Sequence, residues 1–234
     1  MSLPVFRVSS LGHACDRKLW LQSIALVEEP RTLQSQLTMD IGTALEPVIM
    51  EYLELNGWTI DYNPGSQEAD VELRHEADGC VIAGHYDCIA ERDGMIVMLD
   101  VKTMNSRAWA EWRKHGAEVK YPQYVTQVQL YAYMARKSIN PNITYVGIAG
   151  LNKDRATYPI PVELLDYDEL HALNAIARAE RIAAMTALPP VDPNIPGWCC
   201  FYCGFKGTEC DGLDLNAHKE HDDLPRRGDR KGRE

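Results

Sequence analysis

Apolar and polar positions recur at two different periods along this chain, and the changes of period mark out its elements. Strand-like runs, rich in β-branched and aromatic residues, occur at residues 58–62, 71–75 and 80–83. Asp78-Gly79 separates the last two as a hairpin turn, and Asn63-Pro64-Gly65 follows the first as a turn. The stretch 84–103, GHYDCIAERDGMIVMLDVKT, continues in the same manner. Arg92-Asp93-Gly94 carries the Asp-Gly signal of a tight turn, so residues 84–91 and 95–103 predict two paired antiparallel strands. Two more strands are predicted at 143–151 and 157–162. Helical periodicity takes over at 11–24, with Ser10 as N-cap, and at 105–115. It also marks 38–56, where Ile41, Leu45, Val48 and Tyr52 recur at helical spacing and Asn56-Gly57 ends the run. Pro47 predicts a kink there, or a start near Glu46. Residues 28–37 read as a polar connection. A helix at 121–136 has Pro122 in its first turn, and an Ala-rich one at 164–188 stops at Pro189-Pro190. Strands interleaved with helices predict an α/β fold with a mixed central sheet flanked by helices.

Length and composition sharpen this. The 234 residues, 45% hydrophobic, suit one sizeable domain with a small appendage. The expected organisation is a core over 1–190, a cysteine-bearing segment over 191–210 and a charged flexible tail over 211–234. No apolar run approaches the ~18 residues of a membrane span, and the first residues lack the apolar core of a signal peptide, so a cytoplasmic protein is expected. The net charge of −10 argues against a broadly basic nucleic-acid binder. Phosphate contact would have to be local, through Arg107, Arg113, Lys114, Lys120, Lys153 and Arg155. Trp109 and Trp112 read first as core and second as bases for stacking. His75 and His85 read as hydrogen-bonded or exposed rather than as ligands.

The chemistry concentrates on the 84–103 stretch. Asp100 and Lys102 are two apart on a strand and share a face. Two charges on a face turned to a core are costly without a purpose. A divalent metal removes the cost: Asp87 and Asp100 can supply oxygen ligands to Mg²⁺ or Mn²⁺, and Lys102 can orient a water or stabilise charge developing on a phosphate. Gln127 and Tyr131 lie four apart on one face of the 121–136 helix. Gln129 and Tyr133 form an overlapping pair of the same spacing.

At these residues the chain resembles the PD-(D/E)XK nuclease superfamily. Asp87 stands for its first Asp and Asp100-Val101-Lys102 for its (D/E)XK. Tyr86 occupies the place of the Pro, and Gly84-x-x-Asp87 is similar to the GxxD form of RecB-type nucleases. The resemblance implies a restriction-endonuclease-like core. It implies that Glu46, in Gly42-x-x-x-Glu46, faces the metal where RecB-type nucleases often carry His, and that the carbonyl of Val101 joins Glu46, Asp87 and Asp100 as a ligand. Gln127-x-x-x-Tyr131 is similar to the Q-x-x-x-Y that follows the catalytic Lys, implying contact with DNA or with groups around the site.

Seven cysteines, an odd number, with three crowded into 199–203, argue for metal or cluster binding rather than disulfides. Cys200-x-x-Cys203 followed by Cys210 is a metal-ligand spacing. A fourth ligand is needed; Cys80 and Cys88 fall on strands, Cys199 would have to fold back, and Cys15 remains. One N-terminal and three C-terminal cysteines resemble the CRISPR-associated iron–sulfur exonucleases (the fourth Cas family) and the AddB-type nucleases, as does the run from Cys15 to Leu21. The resemblance spans roughly residues 9–210. It implies a 4Fe–4S cluster on Cys15, Cys200, Cys203 and Cys210, a region joining the two ends of the chain; a zinc site is the alternative, and Cys199 competes with Cys200. The implied activity is metal-dependent exonuclease action on single-stranded or end-opened DNA, 5′→3′, in recombination, repair or CRISPR spacer acquisition, with recombination or CRISPR adaptation proteins as partners; a phage origin fits equally. The rival expectations are a non-catalytic DNA-end-binding subunit and an endonuclease of the same fold.

Overall fold

The computed structural model describes residues 2–62, 71–201, 203–208 and 210. The turn expected at 63–65 and the tail expected at 211–234 lie outside them. In chain order the elements are β1 (Val5–Arg7), α1 (Val8–Leu11), α2 (Asp16–Ser23), α3 (Leu33–Leu55), β2 (Thr59–Tyr62), β3 (Glu72–Ala77), β4 (Cys80–His85), β5 (Cys88–Arg92), β6 (Met95–Met104), α4 (Ser106–His115), α5 (Ala117–Lys120), α6 (Pro122–Ser138), β7 (Tyr145–Asn152), β8 (Val162–Asp166), α7 (Glu169–Ala183) and α8 (Gly197–Phe201).

The strands form two sheets rather than one central sheet. The larger has the order β2-β5-β6-β7-β8 and the smaller β1-β4-β3. Each is mixed: β6–β7 and β1–β4 are the parallel pairs. The β5–β6 hairpin turns at Asp93 and Gly94, both with positive φ, as its Asp-Gly signal predicts. The continuous strand expected over 84–91 is two strands. Residues up to His85 pair with β3, while Cys88 onwards pair with β6. The chain passes from one sheet to the other at Tyr86-Asp87. The apolar run does not mark such a crossing, because residues 80–83 of β4 and the start of β5 are each buried at consecutive positions.

Helix α6 lies at the centre. Val125 and every residue from Gln127 to Ala135 are buried. Its apolar residues meet β3, β4 and α7 in one cluster, which also takes in Met98 of β6. On the other side of the large sheet, Ile49, Met50 and Leu53 of α3 pack on Val97, Leu99 and Val101. Strand β6 therefore alternates between two cores: Val97, Leu99 and Val101 turn one way, and Met98, Asp100 and Lys102 the other.

Several boundaries differ from expectation. The helix expected at 11–24 is two, because the chain bends at Gly12. There the backbone of Gln123 comes so close that a Cβ would lie 2.4 Å from its carbonyl oxygen. The N-cap of α2 is Cys15, whose sulfur accepts from the Lys18 N–H at 3.4 Å, in place of Ser10. Helix α3 begins at Leu33 behind a Thr32 cap, so much of the expected polar connection is helical, and Pro47 lies inside the helix. The strand expected at 157–162 is displaced to Val162–Asp166. Asp168 caps α7 by accepting from the His171 N–H, so the helix expected from 164 starts later and ends at Ala183.

The N-terminal helices are bound to α7 by charge. Arg178 Nε donates to Asp16 Oδ1 at 2.8 Å and its Nη1 to the Leu11 carbonyl at 2.9 Å, while Arg181 reaches Asp16 Oδ2 at 2.8 Å. Arg178→Ala is expected to cost about 2 kcal/mol by stranding these partly buried acceptors, measured by urea denaturation.

Candidate active site

The face of β6 turned towards α6 carries the site. Asp100 is 1% exposed, and Lys102 Nζ lies 2.6 Å from its Oδ2. Neither Asp100 oxygen has a hydrogen bond of good geometry within the described residues. Asp87, at the crossing between the sheets, accepts the Val101 N–H through Oδ2 at 2.6 Å. That bond ties the start of β5 to β6 between Asp100 and Lys102.

Glu46 arrives from α3. It lines a cleft of about 840 Å³ together with Gly42, Gly84, Val101, Lys102, Gln127 and Tyr131. Burial, then the charge of Asp87 and, after the offsetting Lys102, that of Asp100, push Glu46 up to about 7. Burial likewise pushes Asp87 and Asp100 upward. Burial disfavours the charge of Lys102, but Asp100 and Asp87 outweigh it and hold the amine protonated. Three carboxylates thus share one ammonium, and the excess negative charge calls for protons or a cation.

The two overlapping helix motifs separate cleanly. Gln127 is hydrogen-bonded to Tyr131 and both line the cleft. Tyr131 stands so close to the β4 backbone that a Cβ on Gly84 would lie 2.9 Å from its hydroxyl. Gln129 instead bridges the Asp166 carbonyl and the Asp168 N–H, and Tyr133 packs edge-on against His75. Their positions tie α6 to the β8–α7 junction and to β3.

One neighbour of the site was missed in the sequence. Tyr124 places its ring 5.1 Å below Lys102 Nζ and stacks at 5.3 Å on Tyr121. It lies one turn before Gln127, and the three-residue step to Gln127 was the available signal. Among the phosphate candidates, Lys153 lines the cleft. Lys120 is paired with Glu111 at 2.6 Å, and Arg113 lies over the Trp112 ring. Trp112 is buried and meets Trp109 edge-on, which is core packing. His85 lines the cleft rim.

The cysteines gather at a second place. Burial and then Cys15 push up the Cys200 thiol. The Cys210 thiol is raised by burial and by Cys15 and Cys200, against a nearby Arg17. Cys203 is raised by burial and, more weakly, by Glu29 and Cys210. Cys199 is buried and pushed up to about 11, by burial first and then by Cys200 and Cys15. Cys80 and Cys88 are buried on their strands, away from this group. The ends are joined by other bonds as well: Glu29 accepts from Lys18 Nζ at 2.7 Å and from the Gly204 N–H at 2.9 Å. Among the described residues, no three His, Cys, Asp or Glu side chains stand close enough to chelate a single metal ion as they are.

The chain belongs to the PD-(D/E)XK nuclease superfamily, whose family model matches residues 11–208. Among solved structures it is similar to SSO0001, with a TM-score of 0.57 at 18% identity over 91% of this chain and 89% of that one. It is also similar to LHK-Exo, an alkaline exonuclease from Laribacter hongkongensis, with a TM-score of 0.50 at 14% identity over 76% and 85% of the two chains. The same exonuclease in complex with dAMP matches at 15% identity and the same TM-score. These likenesses concern the fold. No curated protein matches the chain. No helix of the described residues is long and apolar enough to cross a membrane.

The raised Glu46 gives the site a pH signature. Glu46 has a folded pKa of about 7 against an ordinary 4.5, so the folded protein binds this proton more tightly than the unfolded chain. This contribution to stability is complete below about pH 4.5 and is lost as pH rises through 7. Mg²⁺ or Mn²⁺ should therefore raise the melting temperature more at about pH 8 than at about pH 5.5, by calorimetry. Equal rises would count against a cation bound there.

Proposed function

We propose that this nuclease is a metal-dependent DNA exonuclease. The observation that carries the reading is that Glu46 of α3, Asp87 at the sheet crossing and Asp100 of β6 all act electrostatically on Lys102, which lines an open cleft together with Glu46. The buried carboxylate of Asp100, offset by Lys102 at 2.6 Å, and the raised Glu46 fit one or two Mg²⁺ or Mn²⁺ ions, which these carboxylates, not spaced to chelate one ion as they stand, and the Val101 carbonyl would hold. Such ions supply Lewis acidity to a phosphodiester and make water more acidic.

The chain's own residues do the rest. The N–H of Val101 fixes Asp87 through its Oδ2. Lys102, kept charged by Asp100 and Asp87, faces the negative charge that builds on phosphate during in-line attack. Gln127 and Tyr131 line the same cleft as Lys153, and exposed Lys153 takes a flanking phosphate. Action from an end agrees with the exonuclease relative of the same fold. The processing of DNA ends places the enzyme in recombination, repair or spacer capture, in the reducing interior of a cell.

The cysteine group extends this reading. Cys15, Cys200, Cys203 and Cys210 hold a 4Fe–4S cluster that staples the two ends around the nuclease core. The function is tested by digesting linear and circular single-stranded DNA with Mn²⁺. Loss of the linear form with the circle intact is expected; cutting of the circle would make the enzyme an endonuclease.

A further inference from the structure

The longest helix turns two unlike faces to its surroundings. Gly42 and Glu46 of α3 line the cleft, and Ile49, Met50 and Leu53 enter the core. On the opposite side Leu33, Leu37, Ile41, Ala44, Val48 and Tyr52, then Leu55, follow at spacings of 4, 4, 3, 4, 4 and 3 residues. At 3.6 residues per turn these positions form one stripe. All seven are exposed, Leu33 by 91% and Leu55 by 66%. Tyr158, 59% exposed, widens the stripe, its ring 6.0 Å from that of Tyr52. The stripe is about 34 Å long. Its side chains expose on the order of 700 Å², close to one partner's share of a stable interface and more than a monomer commonly leaves in water.

Three features select the occupant. The pattern is self-complementary. Turned end for end about Ala44, Leu33 falls on the position of Leu55, Leu37 comes opposite Tyr52 and Ile41 opposite Val48, each within one residue. A twofold interface requires this property of a surface. The smallest side chain, Ala44, stands at the centre, where two crossing helices approach most closely. Finally, no Lys or Arg occurs between Leu33 and Leu55, while Asp40, Glu51 and Glu54 flank the stripe, so the stripe itself offers no phosphate contact. We infer that α3 is the interface of a twofold dimer, in which two copies of this helix pack antiparallel along the stripe. One face of the helix then completes its own chain's cleft while the other meets the second copy.

One contribution opposes the pairing. Asp40 and Glu51 lie on the same edge, so Asp40 of each copy approaches Glu51 of the other. Salt screens this repulsion and leaves apolar burial intact, so association tightens with salt, the reverse of binding to a basic partner. Sedimentation velocity of the full chain from about 1 to 100 µM, at about 0.05 and 0.5 M NaCl, reads all of this. The mass should move from the 26.4 kDa of one chain towards twice that value, at lower concentration in high salt. The double substitution Leu37→Glu and Val48→Glu should hold the protein at the single-chain mass with an unchanged circular dichroism spectrum, since both side chains are exposed. Glu51→Lys should tighten association at low salt by about 3-fold, as opposite charges then meet. The inference is overturned by a wild type that stays single at the top concentration in high salt. It is equally overturned by pairing that survives the double substitution, or by a Glu51→Lys variant that pairs more weakly. No nuclease assay enters, so the dimer and the proposed function stand or fall separately.

Discussion

Asp100→Asn is expected to lower DNA cleavage by at least about 10³-fold while melting no lower than the wild type in chelator. Both Asp100 oxygens are buried without a well-formed hydrogen bond, and burial together with Asp87 disfavours its charge. Such a group is tolerated because something else needs it. Asn keeps the shape and removes the negative charge, and Lys102 retains Asp87 and Glu46 as neighbours. Activity and stability should therefore move apart. Lys102→Ala is the instructive companion: it leaves three carboxylates without their ammonium, so cleavage and chelator stability should fall together. A cleavage assay on end-labelled DNA beside a melting curve separates the two. If Asp100→Asn unfolds the protein, the aspartate is a structural group and the catalytic assignment fails.

Cys203→Ala is the second large effect. Loss of the visible iron–sulfur absorbance and a fall in melting temperature on the order of 10 °C are expected together, corresponding to a few kcal/mol for a chain of this length. The reason lies in sequence distance. Cys15 and Cys200 are 185 positions apart, and a bond network closing so long a loop removes much of the unfolded chain's freedom. Glu29, Lys18 and Gly204 already hold the same ends, so the variant should remain folded at low temperature. A variant that keeps full iron and full melting temperature would show that Cys203 is no ligand.

Local chemistry was readable from residues that carry it unambiguously. Asp93-Gly94 announced the β5–β6 hairpin because two successive positive φ angles suit few other pairs. The step from Asp100 to Lys102 announced a shared face because a strand allows no other outcome. What could not be read was set by tertiary contact. The break at Tyr86-Asp87 leaves no trace in the apolar run, since β4 and β5 both bury consecutive residues and either sheet accepts them. A side chain at position 12 is excluded by Gln123, more than a hundred residues later, which passes against Gly12. Gln127 and Gln129 look alike in sequence; their roles divide because α6 is buried on nearly every side and its faces meet different partners. The early start of α3 was hidden for a related reason. Its first turns bury nothing, so the inward-facing pattern that reveals a helix is missing there, and the apolar stripe that is present points outward.

The most direct measurement is a crystal grown with Mn²⁺ and examined for anomalous scattering. A peak bounded by Glu46, Asp87 and Asp100, with Lys102 alongside, is the predicted result. Carboxylates found turned to separate surroundings, with no manganese between them at saturating concentration, would contradict the nuclease site whatever the cysteines bind.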